Sequence, residues 1–146
     1  MPYIESTIDV HGDPAEAYGI AKKMEEYPKF MENLDYVKVV ETGTGYTVTD
    51  WMAKLEGKKF KWQEKDIFDD ANLTITYKQT AGDLKKFEGQ WSFVQQGNIT
   101  RITLTVDFEM GIPVLAALIN PIAKKAIKGN CDGMLQAIKK KVEKAG

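Results

Sequence analysis

Hydrophobic and polar residues alternate with a period of two between Asp35 and Met110, which is typical of β-strands with one buried face. Five turn signals interrupt the alternation and divide this stretch into six strands. Because the strands follow one another every ~10–15 residues with no helix between them, they are predicted to pair as antiparallel hairpins. The turn signals lie at residues 43–45, 56–57, 69–72, 81–83 and 96–98.

The N-terminal part of the chain predicts one further strand and two short helices. Residues 3–10 alternate loosely and form the predicted first strand. Asp13 followed by Pro14 marks a helix start, because Asp caps the first turn and proline fits the first helical position. This helix is predicted to run to about Met24. Pro28 then begins a second short helix or turn, since the residue before a proline is pushed out of helical geometry.

After Gly111 the hydrophobic period returns to 3.6 and predicts a C-terminal helix of about 30 residues, long enough to cover a sheet. The fold class is therefore α+β in a single domain, residues 1–146. We expect a seven-stranded curved antiparallel sheet wrapped around the long C-terminal helix, with two short helices after strand one. The apolar stripe of the helix comprises Leu115, Leu118, Ile122, Ala126, Ile127, Met134, Leu135, Ile138 and Val142.

The strand at residues 60–68 shows most clearly which side chains face inward. Lys61, Gln63 and Lys65 share one face and require water. The other face must then point inward, and it carries Phe60, Trp62, Glu64, Asp66 and Phe68. The same alternation predicts inward positions for Thr49, Trp51, Ala53, Leu55, Leu73, Ile75, Tyr77, Phe87, Trp91, Phe93, Ile102, Leu104, Val106, Phe108 and Met110.

All three tryptophans of the chain therefore share the concave face with two carboxylates. Sealing an unpaired carboxylate in a dry core costs several kcal/mol, which favours a polar-tipped cavity for a hydrophobic small molecule. The alternative is a packed interior in which both carboxylates accept hydrogen bonds from Tyr, Trp or backbone donors. The predicted ligand-binding residues are Trp51, Trp62, Glu64, Asp66, Ile75, Tyr77, Phe87, Trp91, Phe93, Leu104, Phe108, Leu115, Leu118 and Ile122.

Glu64 and Asp66 are the only candidates for catalytic residues. They lie about 7 Å apart along one strand face and could act as an acid and base pair, or could instead orient a ligand or stabilise the fold. The single histidine, His11, follows a strand, and the single cysteine, Cys131, lies in the apolar part of the helix as a predicted core residue. No nucleophile pair, zinc or iron site, or glycine-rich phosphate loop is indicated. We expect no metal and no cofactor.

Composition and charge limit the possible partners. Hydrophobic residues make up 43% of the 146 and charged residues 28%, as in ordinary globular proteins. The net charge of -1 gives no overall attraction to nucleic acid, so no DNA partner is expected. Residues 124–146 differ, because seven lysines face two acids and give a local charge of +5. A weak association of this helix end with ribosomal RNA or an anionic membrane surface is a further hypothesis.

Targeting signals are not visible in the sequence. The N-terminus lacks the basic start and apolar core of a secretion signal, and a single cysteine excludes an internal disulfide. The longest apolar run, residues 112–119, is far shorter than the roughly 20 residues of a membrane-spanning helix. The expected location is the cytoplasm.

Several motifs resemble the START-like (SRPBCC) superfamily, in particular the branch of polyketide cyclase/dehydrase-like proteins, coenzyme Q-binding proteins and the ribosome-association toxin. The likeness spans nearly the whole chain and rests on residues 27–30 (YPKF), 60–66 (FKWQEKD), 82–93 (GDLKKFEGQWSF) and 106–109 (VDFE). It implies a helix-grip fold whose cavity takes lipids, quinones, sterols or polyketides. It further implies that loops near the first helices, together with the last helix, gate the mouth of the cavity.

Three functions follow as hypotheses. The first is a non-enzymatic protein that binds or carries a hydrophobic small molecule such as a quinone, lipid or polyketide-like compound. The second is an aromatase/cyclase or dehydratase in which Glu64 or Asp66 moves protons. The third is a module that associates with ribosomes or membranes. The absence of a residue matching a catalytic signature of the aromatase members favours binding over catalysis.

Overall fold

The structure is a computed structural model that describes residues 3–55, 58–109 and 116–145. Its order of elements confirms the predicted α+β arrangement of one strand, two short helices, six strands and a long helix. The elements are strand β1 (Tyr3–Val10), helix α1 (Pro14–Lys22), a 3-10 helix (Met24–Lys29), strands β2 (Leu34–Gly43), β3 (Tyr46–Leu55), β4 (Lys58–Asp69), β5 (Thr74–Gly82), β6 (Lys86–Gln96) and β7 (Ile99–Glu109), and helix α2 (Ala116–Ala145).

All seven strands form one antiparallel sheet in the order β1-β7-β6-β5-β4-β3-β2. Strands β2 to β6 each pair with the next strand along the chain, as the hairpin prediction required. Strand β1 pairs with β7, so the first and last strands are neighbours. The predicted turn at residues 56–57 lies outside the described residues.

Three register shifts interrupt the regular pairing of the sheet. Two lie in β2 against β3, and the third separates Gln63 from Glu64 where β4 pairs with β5. A bulge bends its strand and increases the local twist. The third shift therefore changes the local pairing of β4 and β5 directly at Glu64, one of the two candidate carboxylates.

Helix α1 begins where predicted, with the Asp13 side chain accepting a backbone N–H of the first turn at 2.9 Å. It ends at Lys22, two residues earlier than predicted, because Lys23 leaves helical geometry with φ -85° and ψ 66°. The second helix also differs from the prediction. Pro28 lies inside the 3-10 helix rather than at its start.

Helix α2 packs against β1 and also contacts α1, β3 and β7. Its predicted apolar stripe is buried at Ile127, Met134, Leu135, Ile138 and Val142, and Cys131, predicted as a core residue, is buried as well. Ile122 was expected within that stripe, yet it is 68% exposed. Leu115 and the side chain of Leu118 lie outside the described residues. In the described ranges, no helix has the length and hydrophobicity needed to cross a membrane.

The strand residues predicted to face inward do so wherever the structure describes them in a strand. Buried on this face are Thr49, Trp51, Ala53, Glu64, Asp66, Ile75, Tyr77, Trp91, Phe93, Ile102, Leu104, Val106 and Phe108, and half-buried are Phe60, Trp62, Phe68 and Phe87. Leu73 lies in the turn before β5 rather than in the strand, with a φ of +52°, but its side chain is half-buried against the core as predicted. The side chain of Leu55, and Met110, lie outside the described residues.

Candidate ligand-binding site

A cavity of about 220 Å³ lies between the concave face of the sheet and helix α2. The sheet contributes most of its aromatic wall, and α2 contributes small and aliphatic side chains. The opening to solvent is marked by residues at the edge of the cavity, among them Leu84, which is half-buried, and Ile122, which is exposed. Strands from the middle of the chain and the C-terminal helix thus build one site, because α2 returns across the sheet.

Eight of the predicted ligand-binding residues line this cavity, namely Trp51, Trp62, Glu64, Tyr77, Phe87, Trp91, Leu104 and Ile122. Four others are not part of the wall, namely Asp66, Ile75, Phe93 and Phe108, all of which are buried in the core. Helix α1 packs over β6 and β7 and covers that end of the concave face, with Tyr18 in edge contact with Phe93 at 5.6 Å between ring centroids. The two remaining predictions, Leu115 and Leu118, cannot be placed within the described side chains.

The mouth of the cavity contains polar residues that the sequence analysis did not assign to the site. The loop after β5 is tied to β4 by two hydrogen bonds, from the Lys61 N–H to Asp83 at 2.9 Å and from the Asp83 N–H to the Lys61 carbonyl at 3.0 Å. Gln79 Nε2 donates to the Leu84 carbonyl at 2.6 Å. These contacts join separate segments, so no local pattern signals them.

The remaining lining residues fall into two groups. Residues of the first group were predicted to lie in the interior but were not assigned to the site, and residues of the second group carried no prediction. The first group comprises Ala53, Phe60, Val106, Ala126, Ile127, Cys131 and Met134, and the second comprises Met24, Leu34, Ala123 and Asn130. The period-two alternation of the strands and the helical period of α2 were together sufficient to place the first group in the interior. Their assignment to a cavity rather than to a packed core required the tertiary structure.

The aromatic side chains pack against one another and still leave the cavity open. Trp51 and Trp62 are stacked, with ring centroids 5.5 Å apart and an interplanar angle of 11°. Phe87 contacts Trp62 at 5.2 Å and Tyr77 at 5.7 Å between centroids. Such pairs add ~0.5–1.5 kcal/mol each to the burial energy and hold the rings in place. The wall is therefore preformed.

A hydrogen-bond network connects the two inward carboxylates with tryptophan and threonine. Trp62 Nε1 donates to Glu64 Oε1 at 2.7 Å. Trp51 Nε1 donates to Thr49 Oγ1 at 2.7 Å, and Thr49 Oγ1 in turn donates to Asp66 Oδ2 at 2.7 Å. The sequence analysis left two alternatives open, a cavity or a packed interior with hydrogen-bonded carboxylates. The structure combines features of both, because the cavity is present and each carboxylate accepts a hydrogen bond from a specific donor.

Burial raises the pKa of Glu64 well above its usual value, and the neighbouring charge of Asp66 adds to this effect. Burial also raises the pKa of Asp66, while its interaction with the neighbouring Glu64 carboxyl and the hydrogen bonds from Thr49 and Thr47 partly offset the rise. Asp66 accepts hydrogen bonds from Thr49 and Thr47 at Oδ2, and its other carboxylate oxygen is buried without a hydrogen-bond partner among the described residues. The two groups titrate as a pair that retains one proton at pH values where an exposed carboxyl is ionised.

Only one member of this pair contacts the cavity. Glu64 is 3% exposed and forms part of the wall, whereas Asp66 is 0% exposed and lies behind it. A ligand in the cavity would meet a neutral carboxylic acid held by Trp62. The negative charge of Asp66 behind the wall helps to keep the proton on Glu64.

The remaining candidate groups for chemistry have different surroundings. Cys131 lines the cavity, but burial raises the pKa of its thiol to about 12, so the nucleophilic thiolate is not formed at neutral pH. His11 is exposed at the end of β1. Within the part of the chain that the structure describes, no three His, Cys, Asp or Glu side chains are grouped closely enough to hold a metal ion.

Comparisons with known proteins agree with this architecture. The crystal structure of TTHA0849 from Thermus thermophilus superposes with a TM-score of 0.93 at 28% identity and covers 99% of both chains. A START superfamily protein from Mycobacterium smegmatis has a TM-score of 0.84 at 19% identity, again over 99% of both chains, which establishes the START-like helix-grip fold.

A sequence relative has a named activity. The actinorhodin polyketide synthase bifunctional cyclase/dehydratase of Streptomyces coelicolor is 26% identical over 104 residues, or 70% of this chain. The chain spans one third (33%) of the length of that relative. The profile of the family described as polyketide cyclase / dehydrase and lipid transport matches residues 10–135. The chain therefore belongs to the polyketide cyclase / dehydrase and lipid transport family.

Proposed function

We propose that this protein binds a compact, ring-containing hydrophobic molecule in the cavity between the sheet and α2. The observation that carries this proposal is the wall itself, in which aromatic and aliphatic side chains surround a single buried carboxylic acid, Glu64. A mainly apolar hollow with few polar groups is the usual form of a small-molecule site.

The size and polarity of the cavity narrow the class of ligand. Its volume of about 220 Å³ is below the ~300–1,000 Å³ usual for drug-sized ligands, which favours a molecule of a few rings. Protonated Glu64 has carboxyl lone pairs beyond the one that accepts from Trp62. A ligand hydroxyl can donate to them. We therefore favour a phenolic or polyketide-like ligand over a quinone or a plain lipid chain.

Filling the cavity is expected to abolish this binding. Ala126 on α2 lines the cavity, and Ala126→Trp places a large ring in it. We expect the affinity for β-naphthol to fall at least about tenfold, or about 1.4 kcal/mol, in isothermal titration calorimetry. Three probes each lack one feature of β-naphthol. Naphthalene lacks the hydroxyl group, menadione lacks a hydrogen-bond donor, and decanol lacks the rings, so all three should bind more weakly than β-naphthol.

The matched control for this variant is Ala71→Trp, in the exposed turn between β4 and β5. It adds the same ring outside the cavity and should bind β-naphthol as the wild type does. Far-ultraviolet circular dichroism of both variants checks that they are folded. The binding function is wrong if no probe shifts the melting temperature of the wild type and native mass spectrometry of the purified protein shows no bound apolar molecule.

A second candidate function is dehydration or cyclisation catalysed by Glu64. The observation in its favour is a proton held in an apolar cavity, since a carboxylic acid with a raised pKa is suited to protonate a leaving hydroxyl group. The description of the family and the name of the Streptomyces relative are in line with such chemistry. Asp66, behind the wall, would position Glu64 and maintain its protonated form.

The Glu64→Gln variant tests the enzymatic candidate. Glutamine retains the shape and an amide oxygen that can accept from Trp62, but it cannot transfer a proton. With a benzylic β-hydroxy ketone as substrate, followed by the absorbance of the conjugated product, we expect turnover to fall at least about 100-fold while β-naphthol affinity changes little. Equal turnover in wild type and variant would exclude Glu64 as the acid, and absence of turnover in both would leave binding as the function.

A further inference from the structure

A second hollow, of about 520 Å³, lies between the last turns of α2 and the segment that joins the 3-10 helix to β2. We refer to it as the lysine groove. Its apolar side consists of Phe30, Met31, Met134 and Ala137. Met31 and Met134 are only 4% and 8% exposed, so this side lies below the protein surface.

Three lysines of α2 line the other side of the groove: Lys140, Lys141 and Lys144. In the described residues none of their amino groups lies within 4.0 Å of a carboxylate. The Lys141 Nζ lies 4.8 Å from the centre of the Phe30 ring, so positive charge directly adjoins the apolar side. The described lining contains one acid, Glu32, which leaves an excess of two positive charges.

Other lysines of the same helix are engaged differently. Lys128 pairs with Asp132 at 3.1 Å, and Lys139 pairs with Glu143 at 3.8 Å. Lys139 also donates to a backbone carbonyl of β1 at 3.0 Å. The basic end of α2 is therefore divided into lysines that stabilise the fold and lysines whose charge is available in the groove.

We propose that the lysine groove is a second ligand site, which binds an amphipathic anion consisting of a single acyl chain with a carboxylate head. The chain would lie along Met31 and Met134, and the carboxylate would lie among the three lysines. Charge complementarity selects an anion, since separated ammonium groups on one helix turn offer several donors to one carboxylate. The recessed methionines select a single chain, because a flat bilayer surface cannot reach them.

The wall between the lysine groove and the internal cavity is formed by Asn130 and Met134, which line both hollows. The two sites are adjacent but their other lining residues differ. Occupancy of one can therefore be measured separately from occupancy of the other. The proposal does not depend on the ligand proposed for the internal cavity.

The experiment titrates decanoate, below its micelle concentration, into the wild type and two double variants by isothermal titration calorimetry. Lys140→Glu with Lys141→Glu is expected to weaken decanoate binding at least tenfold. The matched control is Lys124→Glu with Lys125→Glu, which reverses two exposed charges of the same helix outside the groove and should change affinity less than twofold. Decanol lacks the charge and acetate lacks the acyl chain. Each should bind at least tenfold more weakly than decanoate.

The location of decanoate is checked independently by its effect on amide NMR signals. Gly133 and Ala137 line only the groove, and their signals should shift in the wild type and in Ala126→Trp alike. Loss of decanoate binding in Ala126→Trp, with no effect of the Lys140 and Lys141 reversals, would place the chain in the internal cavity and overturn the proposal. The proposal would also be overturned if the protein bound no decanoate, or if it bound phosphatidylglycerol vesicles but no free decanoate.

Discussion

Replacing Gly89 by alanine is expected to lower the free energy of unfolding by about 3 kcal/mol or more. A Cβ at this position would overlap the backbone carbonyl oxygen of Thr105 on the neighbouring strand β7 and would lie 2.6 Å from the Tyr77 hydroxyl. The carbonyl belongs to the sheet ladder and cannot move without disturbing β6 and β7. The steric conflict must then be relieved by distortion of the sheet.

The absence of a side chain at Gly89 has a direct use in the site. Gly89 is paired with Tyr77 in the register of β5 and β6, and the Tyr77 hydroxyl donates to the Thr105 carbonyl at 2.6 Å. The phenol of Tyr77 thus reaches across β6 to β7 while its ring lines the cavity. The Gly89→Ala variant should therefore also weaken binding of β-naphthol.

Urea denaturation followed by tryptophan fluorescence measures this effect. Gly129→Ala is the matched control, because a Cβ at Gly129 in α2 meets no atom within 4 Å. Alanine is a better helix former than glycine, so this control should stabilise the protein by ~0.5–1 kcal/mol. A loss below about 0.5 kcal/mol for Gly89→Ala would show that the close approach of β6, β7 and Tyr77 is not as described.

The second large effect is expected in the pH dependence of stability. The pKa of Glu64 is raised in the folded state, while in the unfolded state it is near the usual 4.5. Above about pH 5 the unfolded chain has lost this proton and the folded chain retains it. Stability therefore decreases as the pH rises, by up to about 1.4 kcal/mol per pH unit, until the raised pKa of the folded state is passed.

The Glu64→Gln variant removes this proton uptake, while its amide oxygen can still accept from Trp62. Its free energy of unfolding relative to the wild type should increase with pH between pH 5 and pH 8, and the variant should be the more stable protein at the upper end. Glu25→Gln, at an exposed position of the 3-10 helix, is the control and should show a constant difference. A constant difference for Glu64→Gln as well would mean that Glu64 is already ionised at pH 5.

The two carboxylates illustrate how far the sequence pattern reaches. The alternation along β4 placed Glu64 and Asp66 on one inward face, and both are buried there. It also placed both in the ligand site, where only Glu64 contacts the cavity. The two positions are about 7 Å apart along the strand, so the pattern along β4 does not distinguish them. Asp66 differs in its neighbour on β3, where the Thr49 hydroxyl donates a hydrogen bond to it.

The basic helix end gives a similar result. The sequence showed seven lysines in residues 124–146, from which a weak association of this helix end with ribosomal RNA or an anionic membrane was a hypothesis. In the structure, Lys128 and Lys139 are held by acidic side chains, while Lys140 and Lys141 line a groove with Phe30. Association with ribosomes or membranes stays a prediction.

The sequence by itself determined the order of elements, the antiparallel hairpins and the inward faces of strands β3 to β7. These follow from residue periodicity and turn chemistry, which act over a few neighbouring residues. Only the tertiary structure decided that aromatic strand residues and α2 leave a cavity, that Asp66 is sealed behind it, and that a second groove adjoins it. The reason is physical: a cavity is the space left between elements distant in the chain, and its size depends on ångström-scale packing that no local pattern encodes.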